Sequence, residues 1–181
     1  KDSVTTDSNY PMFAIGDICD TTSGGTPKSN IKEYYENGNI NWLKSGDIAN
    51  RIIYDVDSKI TKLGLNNSSA KMLPTNTVLI AMYGATVGQV GLLKVESTTN
   101  QAICGILPSD KIIPEYLYSI LKSKRDYLIS LSVGGAQPNI SQSIIKQVKI
   151  PLPPLHIQEE IVKEIEGYQK IIDGARQVVD N

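Results

Sequence analysis

Three prolines, Pro151, Pro153 and Pro154, divide the end of this chain into two parts that cannot share one element. Each proline fixes φ and lacks a donor N–H, so no helix runs through them. Residues 147–152 ahead of them read as a short strand. Behind them, Ile161, Ile165, Tyr168, Ile172, Ala175 and Val179 recur at steps of four and three. That spacing predicts one helix over residues 157–180 with a heptad seam. At about 1.5 Å per residue it is ~36 Å long. Glu159 and Glu160 stand in its first turn, where the macrodipole favours negative charge. Lys163, Glu164, Glu166, Lys170 and Arg176 flank the seam. A narrow apolar seam between charged faces favours packing on another helix over folding back onto the domain. About two and a half heptads are present, fewer than a sustained coiled coil shows, and an ordinary amphipathic surface helix is the alternative. Gly167 and Gly174 each cost roughly 1 kcal/mol relative to Ala, so the helix calls for a partner.

A chain of 181 residues, 40% hydrophobic and 20% charged, suits one domain with a core plus an appendage. It has no run of eighteen apolar residues, so no transmembrane span is expected. The opening KDSVTTDSNYP is polar and lacks the apolar stretch of a signal peptide, so residues 1–10 are expected to be a linker. Cys19 and Cys104 are far apart, with no CxxC and a single histidine. That argues against zinc and for two reduced thiols in a cytoplasmic protein. Net charge is −1, which by itself does not point to nucleic acid. The charge is uneven, however: residues 111–149 hold six bases against Glu115 and Asp126. A modest basic face is compatible with nucleic-acid binding without implying it.

Between the termini the pattern is that of an α+β domain. Residues 13–18 enter the core. Residues 21–27, TTSGGTP, form a loop whose backbone N–H groups are able to face a phosphate, or a plain turn. Residues 30–35 allow one helical turn. Residues 40–43 form a strand carrying Trp42, a core residue. A half-buried strand over 52–60 and a helix over 61–73 are expected, the latter with Asn67 or Ser68 as a late cap. VLIAM at 78–82 and QVGLLKV at 89–95 read as a hairpin around a glycine-rich loop. Another apolar strand is expected at 99–107. Pro114 opens a helix with an apolar face through Leu131. A second glycine loop follows at 134–140, and Ser141 caps a short helix. The fold class is therefore α+β: a mixed or antiparallel sheet with a long projecting C-terminal helix.

Chemistry-bearing constellations are missing from the sequence. His156 has no Ser or Cys nucleophile nearby in sequence and reads as a solvated or capping residue. Asp55 and Asp57, two apart on the expected strand, read as a solvated edge. Gly84, Gly88 and Gly91 do not match a dinucleotide fingerprint. The residues themselves describe a binding module, not an enzyme.

The ordered motifs carry a resemblance. They are Gly24-Gly25-Thr26-Pro27, Ile40-Asn41-Trp42-Leu43 with Ser45-Gly46-Asp47-Ile48, and residues 73–80, LPTNTVLI, feeding Gly84-Ala85-Thr86-Val87-Gly88. Asn100-Gln101-Ala102, residues 135–141, and residues 150–155, IPLPPL, with Gln158, Glu159 and Ile161 complete the series. Over residues 13–179 the chain resembles a target recognition domain of the DNA specificity subunit of type I restriction-modification systems. The resemblance implies two such domains per subunit, each followed by a long helix, with the helices paired antiparallel as a spacer. It implies a non-catalytic reader of one half of a split duplex target, docking modification subunits that use S-adenosylmethionine and restriction subunits that use ATP. No cofactor falls to this chain. One domain and one helix make half of such a subunit, either a fragment or a short form that self-associates. A domain fused to a methyltransferase or nuclease, and an adaptor that binds protein through its helix, are the alternatives.

The implied division is a linker at 1–10, a recognition domain at 11–152 and a spacer helix at 153–181. Motifs shared by domains of different specificity are poor candidates for base reading. Donor-rich side chains on the loops are better ones: Lys28, Ser29, Lys44, Ser45, Tyr83, Thr86, Gln137 and Asn139. Lys122, Lys124 and Arg125 are the phosphate candidates, with a solvated helix face as the alternative.

Overall fold

The computed structural model describes residues 10–132 and 138–179. The expected linker therefore lies almost wholly outside the described residues. In chain order the elements are β1 (Met12–Ala14), α1 (Ile15–Ile18), β2 (Thr21–Ser23), β3 (Ile40–Leu43), β4 (Ile52–Ile53), β5 (Lys59–Ile60) and α2 (Lys62–Asn66). Then come β6 (Val78–Ala81), β7 (Val90–Leu93), β8 (Thr98–Thr99), β9 (Ile103–Ile106), α3 (Pro114–Ser123), α4 (Arg125–Ser130), α5 (Gln142–Gln147), β10 (Lys149–Pro151) and α6 (Leu155–Val179). Three 3₁₀ turns, Lys32–Tyr34, Ser45–Asp47 and Gly84–Thr86, punctuate the loops.

A five-stranded sheet in the order β2-β9-β6-β7-β4 forms the centre, antiparallel except for the β7–β4 pair. Its middle strands are buried on both faces, which is why VLIA lacks polar alternation. Val78 and Ile80 of β6 join Val90, Leu92, Cys104 and Ile106 under the helices α1, α3, α4 and α5. Leu79 and Ala81, pointing the other way, pack with Leu43, Ile48, Ile53, Leu93 and Ile103. Burying each of these Leu and Ile side chains stabilises the fold by about 1.5–3 kcal/mol. A three-stranded sheet, β5-β3-β8, brings a third cluster of Trp42, Ile60 and Ala70. The pair β1–β10 ties the two ends of the domain, Met12 opposite Pro151.

Several sequence expectations hold. The 78–95 hairpin forms, Pro114 opens α3, and the Ser141 hydroxyl accepts the Ile144 N–H at 3.2 Å. Trp42 is buried. Others need correction. The helix expected over 61–73 stops at Asn66, with Asn67 as its C-cap. Ala70 and Leu73 serve different core clusters, and Leu73 exchanges backbone hydrogen bonds with Ser97 at 2.9 and 3.2 Å. One helix cannot direct residues three apart into separate cores. The strand expected over 52–60 is split into β4 and β5, so Asp55 and Asp57 lie, exposed, in the connection between them. The strand expected over 99–107 breaks at a turn at 100–102. The helix after the prolines starts at Leu155, two residues earlier than expected, and places His156 exposed in its first turn.

Candidate nucleic-acid interface

The register of the central sheet, with the β3–β8 pair beside it, sends five loops, distant in sequence, to one end. β6 runs antiparallel to β7 and β9, so the exit of β6 lies beside the entries of both. β2 leaves the sheet there as well, since Ser23 is opposite Cys104 and Gly24 N donates to Ile103 O at 3.2 Å. β3 exits nearby, where Asn100 N donates to Leu43 O at 2.9 Å. The loop end thus gathers the segments after β2, after β3 and after β6, the 100–102 turn, and residues 138–139. The last are held by a bridge between Tyr83 and Asn139 and by Gly84 N donating to Pro138 O at 3.1 Å.

Close packing explains the Gly24-Gly25 pair. A Cβ on Gly24 would lie 2.2 Å from Thr99 Oγ1, and one on Gly25 would lie 2.3 Å from Ala70 N. Both amides bond internally, Gly25 N to Thr99 O at 2.8 Å, so they are not a phosphate cradle. Close backbone packing is what needs glycine here. The Gly25 carbonyl in turn accepts the Trp42 indole N–H at 3.0 Å, satisfying that buried donor.

Of the sequence candidates, Lys28 and Ser29 are exposed after β2. Lys44 is exposed, its Nζ 5.6 Å from the centre of the Trp42 ring. Ser45, half-buried, opens the 3₁₀ turn whose Asp47 accepts the Lys44 N–H at 3.1 Å. Tyr83 is 45% exposed, and the half-buried Thr86 donates its hydroxyl to the Tyr83 carbonyl at 3.2 Å. Asn139 is exposed beside Tyr83. Gln137 lies outside the described residues. The geometry therefore brings Lys44, Ser45, Tyr83, Thr86 and Asn139 to one end of the fold, with Lys28 and Ser29 on the loop leaving it.

The three phosphate candidates divide. Helix α3 runs past β7 from the Lys94–Glu115 pair toward Gly88. A Cβ on Gly88 would lie 3.4 Å from Arg125 O and 3.7 Å from Arg125 Cγ, so Arg125 adjoins the loop after β6. Its Nε is buried and has no protein acceptor. Lys124 Nζ sits 5.7 Å from the Tyr127 ring centre. Lys122 Nζ sits 5.6 Å from the Tyr118 ring centre and lines a cleft between α3 and α6 with Val162, Ile165 and Glu166.

Sequence reasoning left out Gln101, exposed at the tip of the 100–102 turn, where the Thr26 hydroxyl donates to its Oε1. It also left out Asn50, which joins this loop region to β7 and α3. The available signal was polar residues interrupting an apolar run at 99–107, a mark of a turn between two strands.

Helix α6 is anchored at its base and open beyond. Gln158 is fully buried, while Ile161 and Val162 pack against the main core. Farther on, Tyr168 is 56% exposed, Ile171 69% and Ile172 46%, with Ile165 and Ala175 also exposed. The side chain of Val179 lies outside the described ones. Ile171 is an apolar member that the four-and-three spacing did not include.

Burial pushes the Cys19 thiol up to about 11 and the Cys104 thiol to about 12, so both are protonated near neutrality and poor nucleophiles. Among the described residues no group of three His, Cys, Asp or Glu is placed to hold a metal ion. Among them, too, no helix is long and apolar enough to cross a membrane.

The family model of the type I restriction modification DNA specificity domain matches residues 7–179. The chain is 33% identical over 174 residues to the type I restriction enzyme MjaIX specificity subunit of Methanocaldococcus jannaschii, covering 93% of this chain and 40% of that protein. It is 27% identical over 165 residues to the EcoR124I/EcoR124II specificity subunit of Escherichia coli, covering 88% and 41%. The chain thus spans about two-fifths of the length of these relatives. The HsdS subunit from Thermoanaerobacter tengcongensis superposes with a TM-score of 0.73 at 20% identity, over 94% of this chain and 40% of that one. The type I S subunit from M. genitalium gives 0.66 at 16%, over 98% and 44%. These superpositions establish a shared fold.

Proposed function

From the premise that this chain belongs to the type I restriction modification DNA specificity domain family, we propose that it reads one half-site of a bipartite duplex target. The observation that carries this reading is the convergence of five loops, rich in hydrogen-bond donors, on one end of a rigid sheet. Sites on loops held by a scaffold are where recognition is commonly built.

Residues 11–152 serve as the recognition domain and residues 153–181 as the spacer helix. Lys28, Ser29, Lys44, Ser45, Tyr83, Thr86, Gln137 and Asn139 are the groups proposed to meet base edges. Lys124 and Arg125 are proposed to meet phosphates, with Lys122 farther toward the helix. The chain is non-catalytic and works in the prokaryotic cytoplasm. S-adenosylmethionine and ATP act on the modification and restriction subunits with which it assembles. Its exposed helix stripe pairs with the helix of a second recognition half, in a second copy or in a longer polypeptide.

The test is selection of duplexes from a randomised pool by the chain, alone and with its modification subunit. A recurring short consensus is expected, with affinity falling as salt rises by a log–log slope of about −0.9 per phosphate neutralised. Arg125→Ala and Lys124→Ala each reduce that slope by about 1 and weaken all sequences alike. Binding indifferent to salt and to sequence would count against DNA as the ligand.

A further inference from the structure

We infer that Asn50 is a positioning residue for recognition: it locks the Lys44-to-Asp47 loop to β7, which follows the loop bearing Tyr83 and Thr86, and to α3, which leads into Arg125. This rests on the DNA reading above and goes beyond it, since Asn50 is not among the proposed base or phosphate contacts.

The backbone is the first observation. Ala49 and Asn50 adopt φ of +42° and +53°, two consecutive left-handed non-glycine residues. Asn tolerates this region because its short polar side chain bonds locally, whereas Ala has no such compensation. A pair like this persists only where its surroundings over-determine it, and such sites concentrate at functional loops.

The surroundings do over-determine it, from two directions. Asn50 Oδ1 accepts the Val90 N–H at 2.9 Å, at the entry of β7. The Asn50 carbonyl accepts the Tyr118 hydroxyl at 2.7 Å, from the middle of α3. Tyr118 is buried, and its ring lies beneath Lys122. On the loop side, Arg51 N donates to Ile48 O at 3.1 Å and Arg51 Nε to Asp47 O at 3.2 Å. One residue thus fixes the exit of the 3₁₀ turn against β7, whose preceding turn carries Gly88 beside Arg125. Lys44 and Ser45 keep their distance to Tyr83 and Arg125 through it. The outer side of that turn is open: a Cβ on Gly46 would meet nothing within 4 Å. Apart from Ile48, which is buried in the core, the loop is held through its ends.

Two variants separate positioning from folding. Asn50→Gly permits the left-handed backbone and deletes the acceptor for Val90 N, with some added backbone freedom that the second variant lacks. Tyr118→Phe keeps the buried ring and deletes only the donor to Asn50 O. Both are made in the full chain, and amide hydrogen exchange is read together with duplex binding. Each should speed exchange across residues 44–49 roughly tenfold, with Val90 also affected in Asn50→Gly, while β6 stays protected. Each should lower affinity for the duplex selected by the wild-type chain about three- to tenfold and leave a scrambled duplex unchanged. Unchanged exchange across 44–49 overturns the proposal. So does faster exchange with undiminished discrimination between the two duplexes. A wild-type chain that selects no consensus sinks the DNA reading itself, and the role of Asn50 in recognition with it. That failure shows in the wild type before either variant is compared.

Discussion

The side chain of Gln158, three residues into α6, accepts the backbone N–H of Ile113 at 2.8 Å, immediately before α3 begins. Its Nε2 donates to Pro153 O at 2.9 Å and to Lys111 O at 3.2 Å. With no solvent exposure, this amide uses both its donors and its acceptor to bolt the long helix to the domain. Gln158→Met fills the space yet takes the partner from the half-buried Ile113 N–H and from the Lys111 and Pro153 carbonyls, at about 1–3 kcal/mol for each group kept from water. We expect Gln158→Met to lose about 3 kcal/mol in urea unfolding. Equal stability would mean the three bonds contribute nothing net.

Gly25 offers a steric prediction. A methyl group there meets Ala70 N and the Ser69 carbonyl carbon at 2.3 and 2.5 Å, backbone that cannot rotate aside. Gly25→Ala should cost about 2 kcal/mol or more, and it should displace the carbonyl that Trp42 binds. Tryptophan fluorescence would report the displacement, since Trp42 is the chain's one tryptophan. An unshifted emission maximum at unchanged stability would contradict the packing described.

Adjacent substitutions should have opposite signs at the left-handed pair. The exposed Ala49 makes no packing contact worth keeping and pays the steric cost of φ +42°. Ala49→Gly relieves it and should add about 0.5–1 kcal/mol, after the extra chain entropy of glycine. Asn50→Ala should be destabilising, because it keeps the strained backbone and removes the acceptor for Val90 N. Thermal melts of the two variants decide it, and a loss of stability in Ala49→Gly would refute the strain assignment.

Burial raises the Glu115 carboxyl, but the Lys94 hydrogen bond, a backbone bond and the Lys94 charge together outweigh it and hold the group below its ordinary value. A depressed folded pKa means stability that is present above the unfolded value of about 4.3 and lost as pH falls through the folded one. Lys94→Met should therefore be less stable than wild type at pH 7. The gap should narrow on acidification below the ordinary carboxylate range. A gap that stays constant from pH 7 to pH 3 would remove Glu115 as its source.

What the sequence disclosed follows the range of the interactions. The 78–95 hairpin and α6 were legible because local periodicity and proline set them. The helix over 61–73 was misread because Ala70 and Leu73, three apart as on one helix face, are split between clusters. Lys44, Tyr83 and Asn139 were picked singly, as donors on loops. That they share one end of the fold depends on the β2-β9-β6-β7-β4 order and on the β3–β8 pair, set by pairings between residues tens of positions apart. The structural roles of Gln158 and Asn50 were hidden for a related reason. A polar side chain declares a structural role only once the backbone groups it satisfies, from Ile113 or Val90, are known to be neighbours.

The exposed stripe on α6 yields the last prediction. Tyr168, Ile171 and Ile172 stand free of the domain, so a charge placed at Ile172 should leave the fold intact and act only on what covers the stripe. Ile161, packed against the main core, is the control: Ile161→Glu should destabilise the domain itself. Light scattering on the chain, alone and with its modification subunit, reads the difference. If the stripe is a pairing seam, Ile172→Glu converts a wild-type dimer to monomer while the domain keeps its fold, and the melting temperature falls only by what association contributed to the wild type. A dimer that survives Ile172→Glu places the contact elsewhere on the molecule. A wild-type chain that stays monomeric in both settings makes a second copy the wrong mate, and points to the helix of another recognition half in a longer polypeptide.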